Sequence, residues 1–201
     1  MQQKLLAMTI GLLMTSSAYA AQGDWLVRGR VIDIDPKVST SGTLSTLGIG
    51  VDKQVVPELD FTYMFTNNIG AELILGTARH EVSSFGQGLG KVSHLPPTLT
   101  LQYHFAPEST IRPYAGVGIN YTRFYSVGLA AGSTGLDVDK SSFGGSLQLG
   151  TDVAINKDWF VNFDLKKIYI KTDVKTAGGG TDLGTLKINP LVFGIGLGTH
   201  F

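Results

Sequence analysis

Apolar and polar residues alternate with a period of two along most of the chain. That is the spacing of strands whose two faces meet different media. The clearest run is 95–121. Leu99, Leu101, Tyr103 and Phe105 alternate with Thr98, Thr100, Gln102 and His104, and after a polar turn Ala115, Val117, Ile119 and Tyr121 alternate with Tyr114, Gly116, Gly118 and Asn120. The same reading predicts eight strands, over 24–35, 55–66, 69–80, 95–105, 113–125, 141–156, 159–172 and 184–201. The connections sort by length in strict alternation. Segments 36–54, 81–94, 126–140 and 173–182 are long, and most are rich in Gly or Ser, whereas 67–68, 106–112 and 156–158 are short. Asn67-Asn68 reads as a minimal turn, because Asn tolerates the left-handed backbone.

Alternation alone would also suit a soluble sandwich, but a sandwich has no reason to sort loop length by end. A bacterial outer-membrane barrel does, with short periplasmic turns and long extracellular loops. The pattern therefore predicts an all-β fold, an eight-stranded antiparallel transmembrane β-barrel over 21–201, with both termini periplasmic. The outward phase carries aromatics near strand ends, Trp25, Phe65, Phe105, Tyr121, Tyr125, Trp159, Tyr169 and Phe201, which read as interfacial girdles.

The first 20 residues read differently. Lys4 precedes a short apolar run, 5–14, and Ala18-Tyr19-Ala20 fits a small-residue cleavage site, so 1–20 reads as a secretory signal peptide. The run falls short of the roughly 20 residues a spanning helix needs. Sixteen basic and 16 acidic residues give zero net charge, which points away from nucleic acid. The absence of cysteine excludes disulfides and thiolate metal sites. Four histidines are scattered (His80, His94, His104, His200), and two of them, bordering one loop, read as solvated loop residues rather than a metal site. No nucleophile elbow or other catalytic motif marks a Ser, His and acid set, so no enzyme and no cofactor are expected. Gly116-Val117-Gly118 lies inside a strand, where glycine relieves crowding or curves the sheet.

Five stretches resemble the outer-membrane protein W (OmpW) family: FTYMFTNNIGAELILGTARH at 61–80, LPPTLTLQYHF at 95–105, RPYAGVGINYTRFY at 112–125, WFVNFDLKKIYIKTDV at 159–174 and KINPLVFGIGLGTHF at 187–201. The LPPTL block with RPY and GxGxNYT is the most specific. The resemblance implies an eight-stranded barrel in a Gram-negative outer membrane, seated among lipid and lipopolysaccharide. It implies passive uptake of small, mostly hydrophobic molecules, and in some members a colicin or phage receptor role. The terminal Phe201 resembles the end signal read by the barrel-insertion machinery. A closed barrel has no free edge, so a monomer is the default.

An eight-stranded barrel is just wide enough to be filled by side chains, so an open aqueous pore is not expected. Strand phase puts Arg28, Arg30, Asp60, Glu72, Asp152, Asp164 and Lys166 in the lower and middle lumen. Charges of both signs there should pair into a polar plug. Ile32, Ile34, Ile168, Ile170, Leu186 and Ile188 take the inward phase near the mouth and predict an apolar vestibule. A hydrophobic solute entering there would leave sideways, through a break in the hydrogen-bond ladder. Pro57, Pro96, Pro97 and Pro190 lack the donor N–H and are the candidate lateral gate. The competing readings are a structural or receptor barrel with a shut lumen, and a narrow pore for small polar solutes.

Overall fold

The computed structural model describes residues 21–201, and the expected signal peptide lies outside them. Eight strands form the wall: β1 (Trp25–Asp35), β2 (Gln54–Met64), β3 (Ile69–Gly76), β4 (Thr98–His104), β5 (Ile111–Ala131), β6 (Ser141–Ala154), β7 (Trp159–Ile168) and β8 (Leu191–His200). Each pairs antiparallel with its sequence neighbours, and β8 pairs with β1 from Leu26–His200 to Asp35–Leu191, which closes the barrel.

Alternation sorts the side chains as the sequence implies. On the outside Val31, Leu59, Leu73, Leu101, Val117, Leu149, Leu165 and Phe193 are all exposed, an apolar band far larger than a soluble surface tolerates. Aromatic ladders edge the band at the short-turn end, with Trp25 and Tyr63 rings 5.1 Å apart and Tyr103 and Phe105 rings 5.2 Å apart. Leu95, Tyr125 and Tyr169 lie at its other rim.

Two expectations need correction. The long connections are mostly not irregular loops. Strands Ala78–Ser84 and Gln87–Leu95 form a hairpin, β5 runs on to Ala131 and pairs with Thr134–Val138, and Lys171–Thr176 pairs with Asp182–Lys187. The wall thus continues past the apolar band, and Val82, Val92, Leu129, Leu136 and Val174 fill its interior. Short apolar runs among Gly and Ser hid these strands. Their bulges at Val82/Ser83 and Lys91/Ser93 also break the two-residue period.

The second correction concerns Asn67-Asn68, which does not adopt the left-handed backbone; among non-glycine residues described, only Phe85, Ser126 and Asn189 do. The Thr66 hydroxyl closes the turn instead, accepting the N–H groups of Asn68 (3.2 Å) and Ile69 (2.9 Å). The Asn156 side chain does the same for Asp158 and Trp159. Glycine matters where the lumen is tightest. A Cβ on Gly150 would lie 2.3 Å from the Tyr114 hydroxyl, and one on Gly118 would lie 2.5 Å from the Leu99 carbonyl oxygen.

Candidate functional site: a charged plug below an apolar chamber

Inward side chains stack in layers along the barrel axis. Leu26, Met64 and Phe160 form a floor near the short turns. The Arg28 and Arg112 guanidiniums lie over the Phe160 ring, 5.6 and 5.0 Å from its centroid.

The plug comes next. Arg28 donates to Asp152 in a forked pair, Nε at 3.2 Å and Nη2 at 2.9 Å, and to Asp60 at 3.0 Å. Asp60 bridges the two arginines, its second oxygen lying 2.8 Å from Arg30 Nη1. Arg30 also donates to Glu58 (2.9 Å), Glu72 (3.0 Å) and Asn162 (2.6 Å). Lys166 pairs with Asp164 at 3.0 Å and also with Glu58. Tyr114 and Gln148 donate to Asp164 at 2.8 and 2.7 Å. All seven charged residues expected in the lumen are gathered here and buried. Removing one partner of such a buried pair costs about 3–5 kcal/mol, so the plug resists opening along the axis. Glu58, Tyr114, Asn162 and Gln148 are members that the sequence reading did not single out. All four were findable by phase, since each shares the inward parity of its strand.

Above the plug the lumen turns apolar. Ile32, Ile34, Ile168, Ile170, Leu186 and Ile188 are each at least nine-tenths buried and belong to one cluster that continues up between the hairpins. Ile188 and Ile170 are tied by a backbone bond of 2.9 Å, which carries the wall past the break at Asn189-Pro190. Two cavities open within the cluster. One, about 30 Å³, lies among Ile32, Ile74, Pro96, Ile168 and Pro190. The other, about 20 Å³, lies higher, among Val82, Phe124, Leu186 and Ile188. His94 lines both. His80 and His94 are therefore not solvated loop residues. Each is 3% exposed, and their rings meet edge to face with centroids 5.0 Å apart. Burial, aided by the neighbouring His80 ring, pushes His94 down to about 4, so it is neutral at ordinary pH. At the solvent-exposed start of the 36–54 connection, Lys37 and Lys53 hold the Asp35 carboxyl below its usual range.

The four prolines occupy different situations. Pro190 accepts the Ile168 N–H at 3.2 Å and so helps bridge a corner. Pro57 pairs with Val31 on β1, and pairing of β2 with β3 ends beside it at Glu58–Gly76. Pro96 and Pro97 face missing rungs. Pairing of β3 with β4 stops at Ile74–Thr98 and resumes in the same register at Ala78–His94. Leu75, Gly76 and Thr77 thus lie opposite Pro97, Pro96 and Leu95 without a ladder between them. The Pro-Pro segment is held toward β5 instead. The Tyr121 N–H donates to the Pro97 carbonyl at 3.1 Å, and the Asn120 amide donates to the Pro96 carbonyl at 3.2 Å. The gap opens beside the 30 Å³ cavity, which Gly76, Thr77 and Pro96 also line.

Comparison with known proteins agrees with this architecture. The family model described as the OmpW family matches residues 21–201. The outer-membrane protein y4mB of Sinorhizobium fredii is 40% identical over 93% of this chain and 84% of its own length. Outer membrane protein W of Escherichia coli is 36% identical over 97% of both chains. The crystal structure of the outer membrane protein OprG from Pseudomonas aeruginosa superposes with a TM-score of 0.80 at 29% identity, covering 92% of this chain and 98% of that one.

Proposed function

This chain belongs to the OmpW family of outer-membrane barrels, and on that premise we propose that it admits small hydrophobic molecules by passive diffusion and releases them sideways into the bilayer. The family scaffold is structural and transporting rather than catalytic. One observation carries the reading. The missing rungs between β3 and β4 open sideways beside the lower cavity of an apolar chamber whose floor is a sealed ionic plug. A hydrophobic solute in that chamber meets buried charge below and lipid to the side. Crossing the plug would strip ion pairs, whereas passing Leu75, Pro97 and their neighbours exchanges one apolar environment for another. On this reading the hairpin end is extracellular, and Ile32, Ile34, Ile168, Ile170, Leu186 and Ile188 form the solute path. Pro96 and Pro97 are the gate.

The small size of the two cavities favours a second reading, a barrel whose lumen stays shut while its surface loops act as a receptor. Uptake separates the two. In cells with an intact lipopolysaccharide leaflet and no other family member, the wild-type chain should speed entry of a hydrophobic fluorescent tracer. Ile168→Arg or Ile188→Asp should abolish that gain while the barrel remains folded. Unchanged uptake in folded variants would sink the proposal.

A further inference from the structure

We infer that His80 and His94 form a hydrogen-bonding station inside the chamber, suited to small apolar molecules that carry one hydroxyl group, such as phenols and short alkanols. The inference rests on the chamber reading above and specifies which hydrophobic molecules the chamber favours.

A buried polar atom without a partner is costly, and native interiors hold few of them. His80 Nδ1 lies 2.8 Å from the Asp52 carbonyl oxygen. A carbonyl only accepts, so Nδ1 carries the proton and donates. An imidazole protonated at Nδ1 alone keeps Nε2 as a bare acceptor. That Nε2 is buried and has no partner, and neither has Nε2 of His94. The His94 ring is neutral, so it offers a donor at one nitrogen and an acceptor at the other.

The surroundings are almost wholly apolar. The upper cavity, which both rings line, is otherwise walled by aliphatic side chains, Phe124 and Thr172. The lower cavity reaches His94 from below. Together they would hold one or two waters, which is also the size of a hydroxyl group. A hydroxyl both donates and accepts. It would give its proton to His80 Nε2 and accept from His94 in its Nε2–H form, while its apolar body packs against the isoleucines. A pure hydrocarbon would leave both nitrogens unpaired.

Phenol and toluene test this, because they match in shape and differ by one hydroxyl. The full-length barrel, labelled with 15N-histidine and reconstituted in lipid nanodiscs, is titrated with each. Phenol should move the His80 Nε2 resonance in the direction of an accepted hydrogen bond, saturably, and toluene should not. His80→Phe and His94→Phe, checked as folded by their shift on unheated gels, should weaken phenol about tenfold and leave toluene unchanged, as loss of one hydrogen bond requires. Equal affinity for the two probes, with no selective imidazole shift, would overturn the station and leave the chamber standing. If neither probe perturbs any chamber residue, the station and the chamber reading fall together.

Discussion

Replacing Pro96 by valine should narrow the proposed gate by returning the donor it lacks. The His104 N–H donates to the Asn68 carbonyl at 2.7 Å, which fixes the residues of β4 that face β3. Every second residue does so, from His104 up through Thr98, and the next in line is Pro96, opposite Gly76. Position 97 points the other way, toward Tyr121 of β5. A non-proline residue at 96 therefore aims its N–H at the Gly76 carbonyl. One such bond contributes about 1 kcal/mol net, and the reciprocal bond from the Gly76 N–H, made by the same approach, about as much again. Since about 1.4 kcal/mol is a factor of ten, closing the gap by about 2 kcal/mol should reduce the open population by more than tenfold. Stability should rise by only about 1–1.6 kcal/mol, because losing proline returns about 0.4–1 kcal/mol of chain entropy to the unfolded state. The assay is tracer uptake in cells, paired with hydrogen exchange of the amide that Pro96→Val introduces. The expected result is a protected amide and uptake slowed more than tenfold. A protected amide with unchanged uptake would refute the reasoning, because the gate would be shut and the flux indifferent to it.

Other consequences are open to direct measurement. Lys166→Met leaves Glu58 and Asp164 buried without their ammonium, and should destabilise the barrel by about 3–5 kcal/mol in urea titrations. The hairpin that carries His94 should loosen in acid. Its histidine falls from an ordinary 6.5 to about 4 in the folded state, so folding disfavours the proton. Stability is then complete above about pH 6.5 and declines as pH falls toward 4, by about 3 kcal/mol once titration is complete. Exchange of amides in Gln87–Leu95 should quicken over that window, and His94→Phe should abolish the effect.

Much of this was legible because alternation on the wall strands is unbroken. Ile32 and Ile34 share the parity of Arg28 and Arg30 on β1, so one count of two places both the plug and the chamber. Glu58 obeys the same rule on β2, beside Asp60, and was readable on that ground. The extension of the wall was not, because bulges shift the period and glycines 86, 88 and 90 mimic a loop. The histidines were hidden with it. Their pairing depends on the hairpin register that sets Ala78 against His94, and thus on contacts no local pattern encodes. The proposed gate shows the same limit. In sequence, four prolines are equivalent missing donors. Only pairing reveals that Pro96 faces an unpaired stretch of β3, whereas the Pro190 carbonyl takes the Ile168 N–H.

Thr77 and Leu95 offer the most direct test of sideways release. They face each other across the gap, in the register of the rungs on either side. Cysteines at both positions, in a chain with none of its own, would bolt the gap when oxidised and free it when reduced. The account predicts that oxidation stops uptake of a hydrophobic tracer and that reduction restores it in the same cells. Equal uptake in the bolted and freed barrels, with the cross-link verified, would contradict it.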